Sequence, residues 1–119
     1  MDSTRQQRIA KLIQKDLAEI FQTIGKNQYP GTLLSVTKVR VTPDLSLARV
    51  YISIFPTKNA AEIMGHIKDA TTTIRHQLAQ EVKHQLRKVP ELLFFLDDSN
   101  EYEENIDRLL RGEGDNPIQ

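Results

Sequence analysis

Three groups of residues have types and spacings that could do chemistry. The first is a pair of adjacent carboxylates, Asp97 and Asp98, at the end of the string "KVPELLFFLDDS" (residues 88–99). Two carboxylates at a strand end can work as an acid–base pair or hold a metal ion. Consecutive residues of a strand point to opposite faces, however, so these two would not face one another. No Ser–His–acid order, phosphate loop or zinc-ligand motif accompanies them, and the 119 residues include no cysteine. Thiolate nucleophiles, disulfides and Cys-type zinc sites are therefore excluded. The pair is expected to end a strand, with Asp97 or Ser99 offering oxygens to backbone N–H groups where a helix begins. No catalytic residue is expected.

The second group is the three histidines, His66, His76 and His84. His76 and His84 lie about two helical turns apart, too far for a joint site of the kind made by histidines at i and i+4. Neither has a carboxylate four residues on. Solvent- or phosphate-facing histidines are expected, with no metal and no cofactor.

The third group is cationic. Lys68, Arg75, His76, Lys83, Arg87 and Lys88 crowd one helical region, opposed only by Asp69 and Glu81. At about 100° per residue, Lys68, Arg75, His76, Lys83 and Arg87 share one polar arc, which Lys88 closes. Such an arc neutralises phosphates and releases counterions. It can equally be a solvated helix face. Arg5 and Arg8, with Lys11 and Lys15, on a preceding helix, and Lys38 and Arg40 on a hairpin, would extend the patch. The whole-chain net charge of +0 hides an asymmetry. Residues 1–90 carry 14 Lys/Arg against 7 Asp/Glu, whereas residues 91–119 carry 2 against 9. A basic body with an acidic end hints at nucleic-acid contact.

The elements that must position these groups are legible in the periodicity. Apolar residues make up 39% and charged residues 27%, as in a small globule, and no window approaches a membrane span. The charged N-terminus reads against a secretory leader, and a cytoplasmic protein is expected. Ile9, Leu12, Ile13, Leu17, Ile20, Phe21 and Ile24 form a helical stripe, with Ser3 as N-cap and Gly25 as C-cap. Residues 33–42 and 47–55 read as an antiparallel hairpin around "TPDLS". The first strand changes parity between Val36 and Val39, which suggests a bulge. In the second, Ala48, Val50, Ile52 and Ile54 share the core face.

Asn59 with Glu62 fits a capping box for a second helix carrying Ile63, Ile67, Ala70, Ile74 and Leu78. Val82 and Leu86 then drift around the helix axis, which places a kink near Ala79, Gln80 and Glu81. That kink is either a functional corner or part of a gentle curve. Pro90 stops the helical region. Residues 92–96, apolar on both faces, read as a central strand. Asn100 with Glu103 opens a last helix, its stripe Ile106, Leu109 and Leu110, ended by Gly112. Residues 1–112 form one domain, and 113–119 a polar, disordered tail.

The order α-β-β-α-(kink)-α-β-α, a three-stranded sheet with helices on one face, resembles the ribosome-binding factor A family together with three strings. These are "VTPDLSLARVYISIF" (41–55), "IRHQLA" (74–79) and "LRKVPELLFFLDDS" (86–99). The similarity covers roughly residues 4–111. It implies an α+β, type-II KH-like fold in which a kink, typically Ala-x-Gly, replaces the GXXG loop of ordinary KH domains. No GXXG is present, and the kink alanine falls at Ala79 with Glu81 at the glycine position. The resemblance also implies a bacterial, non-enzymatic, monomeric factor. It would bind the immature small (30S) subunit, aid late maturation of 16S ribosomal RNA and matter in cold growth. Its partners would be that rRNA and ribosomal proteins, with no membrane. The alternative is a small α+β protein-interaction module without an RNA role.

Overall fold

A computed structural model describes residues 3–97. Helix α1 (Thr4–Gln28) comes first, followed by strands β1 (Leu33–Val41) and β2 (Leu47–Phe55). A 3-10 turn (Thr57–Asn59) leads into α2 (Ala60–Asp69) and α3 (Thr71–Val82), and β3 (Glu91–Leu96) ends the order. The chain is thus α+β, with a mixed sheet ordered β1-β2-β3. β1 pairs antiparallel with β2, and β2 pairs parallel with β3. The last helix and the tail read from the sequence lie outside the described residues.

α1 starts where Ser3 accepts from the Gln6 N–H while the Gln6 side chain accepts from the Ser3 N–H. This reciprocal pair satisfies two of the helix's orphan donors. Gln6 does more: it is buried, and its Nε2 donates to the Val41 carbonyl at 2.9 Å, pinning the helix start to the end of β1. Ile9, Ile13, Leu17 and Phe21 then follow at intervals of four and bury against the sheet. Gly25 continues this stripe rather than ending the helix. A Cβ there would sit 3.3 Å from the Thr32 carbonyl oxygen and against Leu34, so glycine allows close approach of β1. The helix ends only at Tyr29, whose N–H reaches the Gly25 carbonyl.

The hairpin follows its pattern. Ala48, Val50, Ile52 and Ile54 are buried, and β1 slips register between Val36 and Lys38, as its parity change implies. The turn is held by Asp44, which accepts from the Thr42 and Ser46 hydroxyls at 2.8 Å each and from the Ser46 N–H at 3.1 Å. These bonds, Thr42's first, hold the Asp44 carboxyl below its ordinary value. The Ser46 carbonyl in turn accepts the Glu91 N–H, so the same turn anchors β3. A depressed folded-state value means the contribution is present above the unfolded value and lost as pH falls through the folded one. Urea titrations at about pH 5 and about pH 2 should therefore show the wild type losing stability that Asp44→Asn no longer has to lose.

Three further expectations need correction. The helix break lies at Ala70, not at Ala79, Gln80 and Glu81, which are inside α3. Two straight helices each bury their own short stripe: Ile63, Met64 and Ile67 on α2, and Ile74, Leu78 and Val82 on α3. The residual drift at Leu86 is absorbed because the helix stops at Val82, whose carbonyl accepts from both Gln85 and Leu86. The break needs no glycine. Ala70 sits at φ −93°, ψ 11°, an allowed bridge geometry, and the Thr71 hydroxyl donates at 2.8 Å to the Lys68 carbonyl. Second, Asn59 makes no side-chain cap, because the 3-10 turn runs straight into α2 and holds Asn59 at φ −113°, ψ 21° rather than extended. Third, β3 is an edge strand among the described residues, not the central one. Leu92 and Phe94 are buried, whereas Leu93 and Phe95 are 45% and 38% exposed on the open face.

Candidate nucleic-acid interface

All ten residues expected to touch RNA lie in the described region, but they do not form one arc. The break at Ala70 separates Lys68, in the last turn of α2, from Arg75 and His76 on α3. Lys83 follows the end of α3, and Arg87 and Lys88 sit in the irregular segment before β3. Lys68, His76, Lys83, Arg87 and Lys88 are all exposed. A single helical wheel is therefore replaced by cations on three consecutive segments.

Arg75 has a different position from the others. It is half-buried, and its Nε donates to the Pro90 carbonyl at 3.0 Å while Nη2 donates to that of Val89. The guanidinium fork thereby holds the approach to β3 against α3, and with it the segment carrying Arg87 and Lys88. Hydrogen bonds from a charged donor are worth about 1.5–3 kcal/mol. Arg75→Ala should accordingly lower stability by about 2–3 kcal/mol in urea unfolding. Arg75→Lys should recover less than half of that loss, because an ammonium lacks the fork. A lysine variant with the wild-type midpoint would remove this role.

The sheet connections gather further cations at one end. Gln6 ties the start of α1 to the end of β1, and Glu91 ties the start of β3 to the hairpin turn. Arg5 and Arg8, in the first turns of α1, thus lie at the same end of the sheet as Arg87 and Lys88. Lys38 and Arg40 do not extend this set. Val36, Val39 and Val41 point into the core, so Lys38 and Arg40 lie exposed on the face opposite α1, α2 and α3. There Lys38 stands over the Tyr51 ring, 5.8 Å from its centroid.

The candidate chemical groups take structural places. Asp97 continues the ladder, its N–H donating to the Ile52 carbonyl, and its carboxylate accepts from the Thr37 hydroxyl at the bulge of β1. It braces the sheet, and the helix start it was expected to cap lies outside the described residues. Asp98 and Ser99 fall outside the described residues. His66 pairs with Tyr29 at 3.0 Å between hydroxyl and Nδ1, joining α2 to the end of α1. Among the described residues no three acidic or histidine side chains cluster as metal ligands. No helix among them is long and apolar enough to cross a membrane.

Sequence reasoning, which sets Arg49 and Tyr51 on the face of the second strand opposite the core, left Arg49 out of the cationic candidates and missed the pairing of Tyr51 with Phe95. Their rings stack 5.4 Å apart at 26°. Nothing in the local pattern marks this pair, because the two residues meet only through the parallel register of β2 and β3.

The fold and these surfaces define a small α+β module of KH-like element order, cationic on its exposed segments. The chain belongs to the ribosome-binding factor A family, whose sequence model matches residues 5–110. It is 50% identical over 120 residues to ribosome-binding factor A of Flavobacterium johnsoniae, covering 100% of this chain and 92% of that one. The Christiangramia forsetii protein of the same name is 45% identical, covering 96% and 88%. The crystal structure of ribosome-binding factor A from Thermus thermophilus matches with TM-score 0.62 at 25% identity, over 76% of this chain and 94% of that one. A homology model of the Thermus thermophilus factor, fitted into a cryo-EM map of its complex with 30S, matches with TM-score 0.60 at 26% identity, over 75% and 91%.

Proposed function

We propose that this protein is a non-enzymatic assembly factor that binds the immature small (30S) ribosomal subunit and aids late maturation of its 16S ribosomal RNA. The observation that carries this reading is the family match across residues 5–110. Likeness to a factor fitted into a 30S complex supports it. Docking is electrostatic: Lys68, His76, Lys83, Arg87 and Lys88, with Arg5 and Arg8 at the sheet end, meet rRNA phosphates and read shape rather than bases. Arg75 acts by holding the segment that presents Arg87 and Lys88. The factor works in the cytoplasm as a monomer and leaves before translation.

The test is co-fractionation of the tagged protein with free small subunits against assembled ribosomes, followed by a salt series. Enrichment on free small subunits, with affinity falling steeply as salt rises, is expected. Equal distribution over all fractions would end the assembly reading, and salt-insensitive binding would end the electrostatic one.

A further inference from the structure

The open face of the sheet is built as two rows. Register places Lys38, Tyr51 and Phe95 side by side, and next to them Arg40, Arg49 and Leu93. We propose that this face is a second RNA-binding surface, where single-stranded RNA stacks bases on Tyr51 and Phe95 while Lys38, Arg40 and Arg49 take its phosphates. The proposal rests on the reading of this protein as an RNA-docking factor. It adds a contact on the side of the sheet opposite α1, α2 and α3.

Five observations carry it. The Tyr51 and Phe95 rings stack on one another, 5.4 Å apart at 26°, so the outer face of Phe95 and the Tyr51 face under Lys38 are the two ends of a short aromatic platform that bases can extend. Every base has a π-face, so such a platform binds single strands whatever their sequence. Phe95 is 38% exposed and Leu93 45%, apolar area that a stacked base would cover. Arg40 and Arg49 are exposed and directly opposite one another. Like charges in that position destabilise a sheet, a cost that a polyanion removes. Lys38 over the Tyr51 ring is a weak, exposed contact. A base can displace it, and the freed ammonium then meets the adjoining phosphate. Among the described residues, the carboxylates of this face lie at its two ends. Glu91 opens β3, and Asp97, beyond its last residue, is engaged by Thr37, so the centre is cationic.

The test uses the full chain and labelled single-stranded oligouridylate and oligoadenylate of about 12 nucleotides. Tyr51→Val and Phe95→Val keep strand propensity and remove stacking. Each should weaken oligonucleotide binding roughly fivefold to a hundredfold. Arg49→Glu should lower the salt slope by about one. RNA should also quench tyrosine emission in the wild type and less so in Tyr51→Phe, which keeps a ring and the wild-type affinity. Folded valine variants that bind like the wild type overturn the inference. So does equal quenching in Tyr51→Phe, a measurement that stands even if the valine variants fail to fold. Small-subunit sedimentation separates the two readings. If subunit binding persists while oligonucleotides do not bind, the sheet face falls and the assembly role stands. Tyr51-dependent oligonucleotide binding without subunit binding does the reverse.

Discussion

Replacing Lys68, Lys83 and Arg87 together by glutamate is expected to weaken binding to small ribosomal subunits by roughly two orders of magnitude at low salt. Each cation withdrawn from a phosphate forfeits its counterion release and lowers the slope of log affinity against log salt by about 0.7–0.9. Three withdrawn cations should therefore flatten that slope by about two to three. Reversal, rather than neutralisation, adds repulsion from the same phosphates. All three side chains are exposed, and surface changes of this kind usually stay within about 0.5 kcal/mol. An unchanged urea midpoint is thus the internal control. A triple variant that sediments with small subunits as the wild type does, at every salt, would show that these segments do not face RNA.

The second large effect is on the fold. Phe21 is fully buried, and its ring meets Phe94 edge to face, 5.7 Å between centroids. One side chain therefore joins α1 to β3, the first and last of the described elements. Phe21→Ala should cost about 3–5 kcal/mol, combining lost transfer energy with an uncollapsed cavity. Edge-to-face geometry accounts for about 0.5–1.5 kcal/mol beyond area. A domain of this size has only about 5–15 kcal/mol in total. A melting temperature lowered by more than about 12 °C is the expected readout. Phe21→Leu should recover most of the loss, since it restores apolar volume without the ring. A melting temperature in the alanine variant within a few degrees of the wild type would mean that α1 and β3 do not share this core.

The helical and hairpin elements were legible because their signals are local. The stripe from Ile9 to Phe21 and the alternation from Ala48 to Ile54 each lie within one element, and the bulge showed itself as a parity change. The misplaced kink has the opposite character. Stripe drift says that a helix must bend, but many positions satisfy it. The actual break falls at Ala70, where the Thr71 hydroxyl donates to the Lys68 carbonyl, a bond that no periodicity encodes. Gly25 likewise looked like a terminator, since glycine ends helices often. Its real partner is β1, brought close only when the sheet packs.

The amino-acid sequence by itself determined the α+β class, the element order up to β3, the core faces of α1 and the hairpin, and the family, because each rests on residue type and short spacing. Tertiary structure alone decided where the cations go. It split one apparent arc over α2, α3 and the following segment, and set Arg75 on the Val89 and Pro90 carbonyls. It also moved Lys38 and Arg40 to the opposite face and laid Tyr51 beside Phe95. The physical reason is register. Which strand pairs with which, and which residue lies opposite which, is settled by burying α1, α2 and α3 on one side of a three-stranded sheet. That choice leaves the other side to whatever side chains alternation puts there.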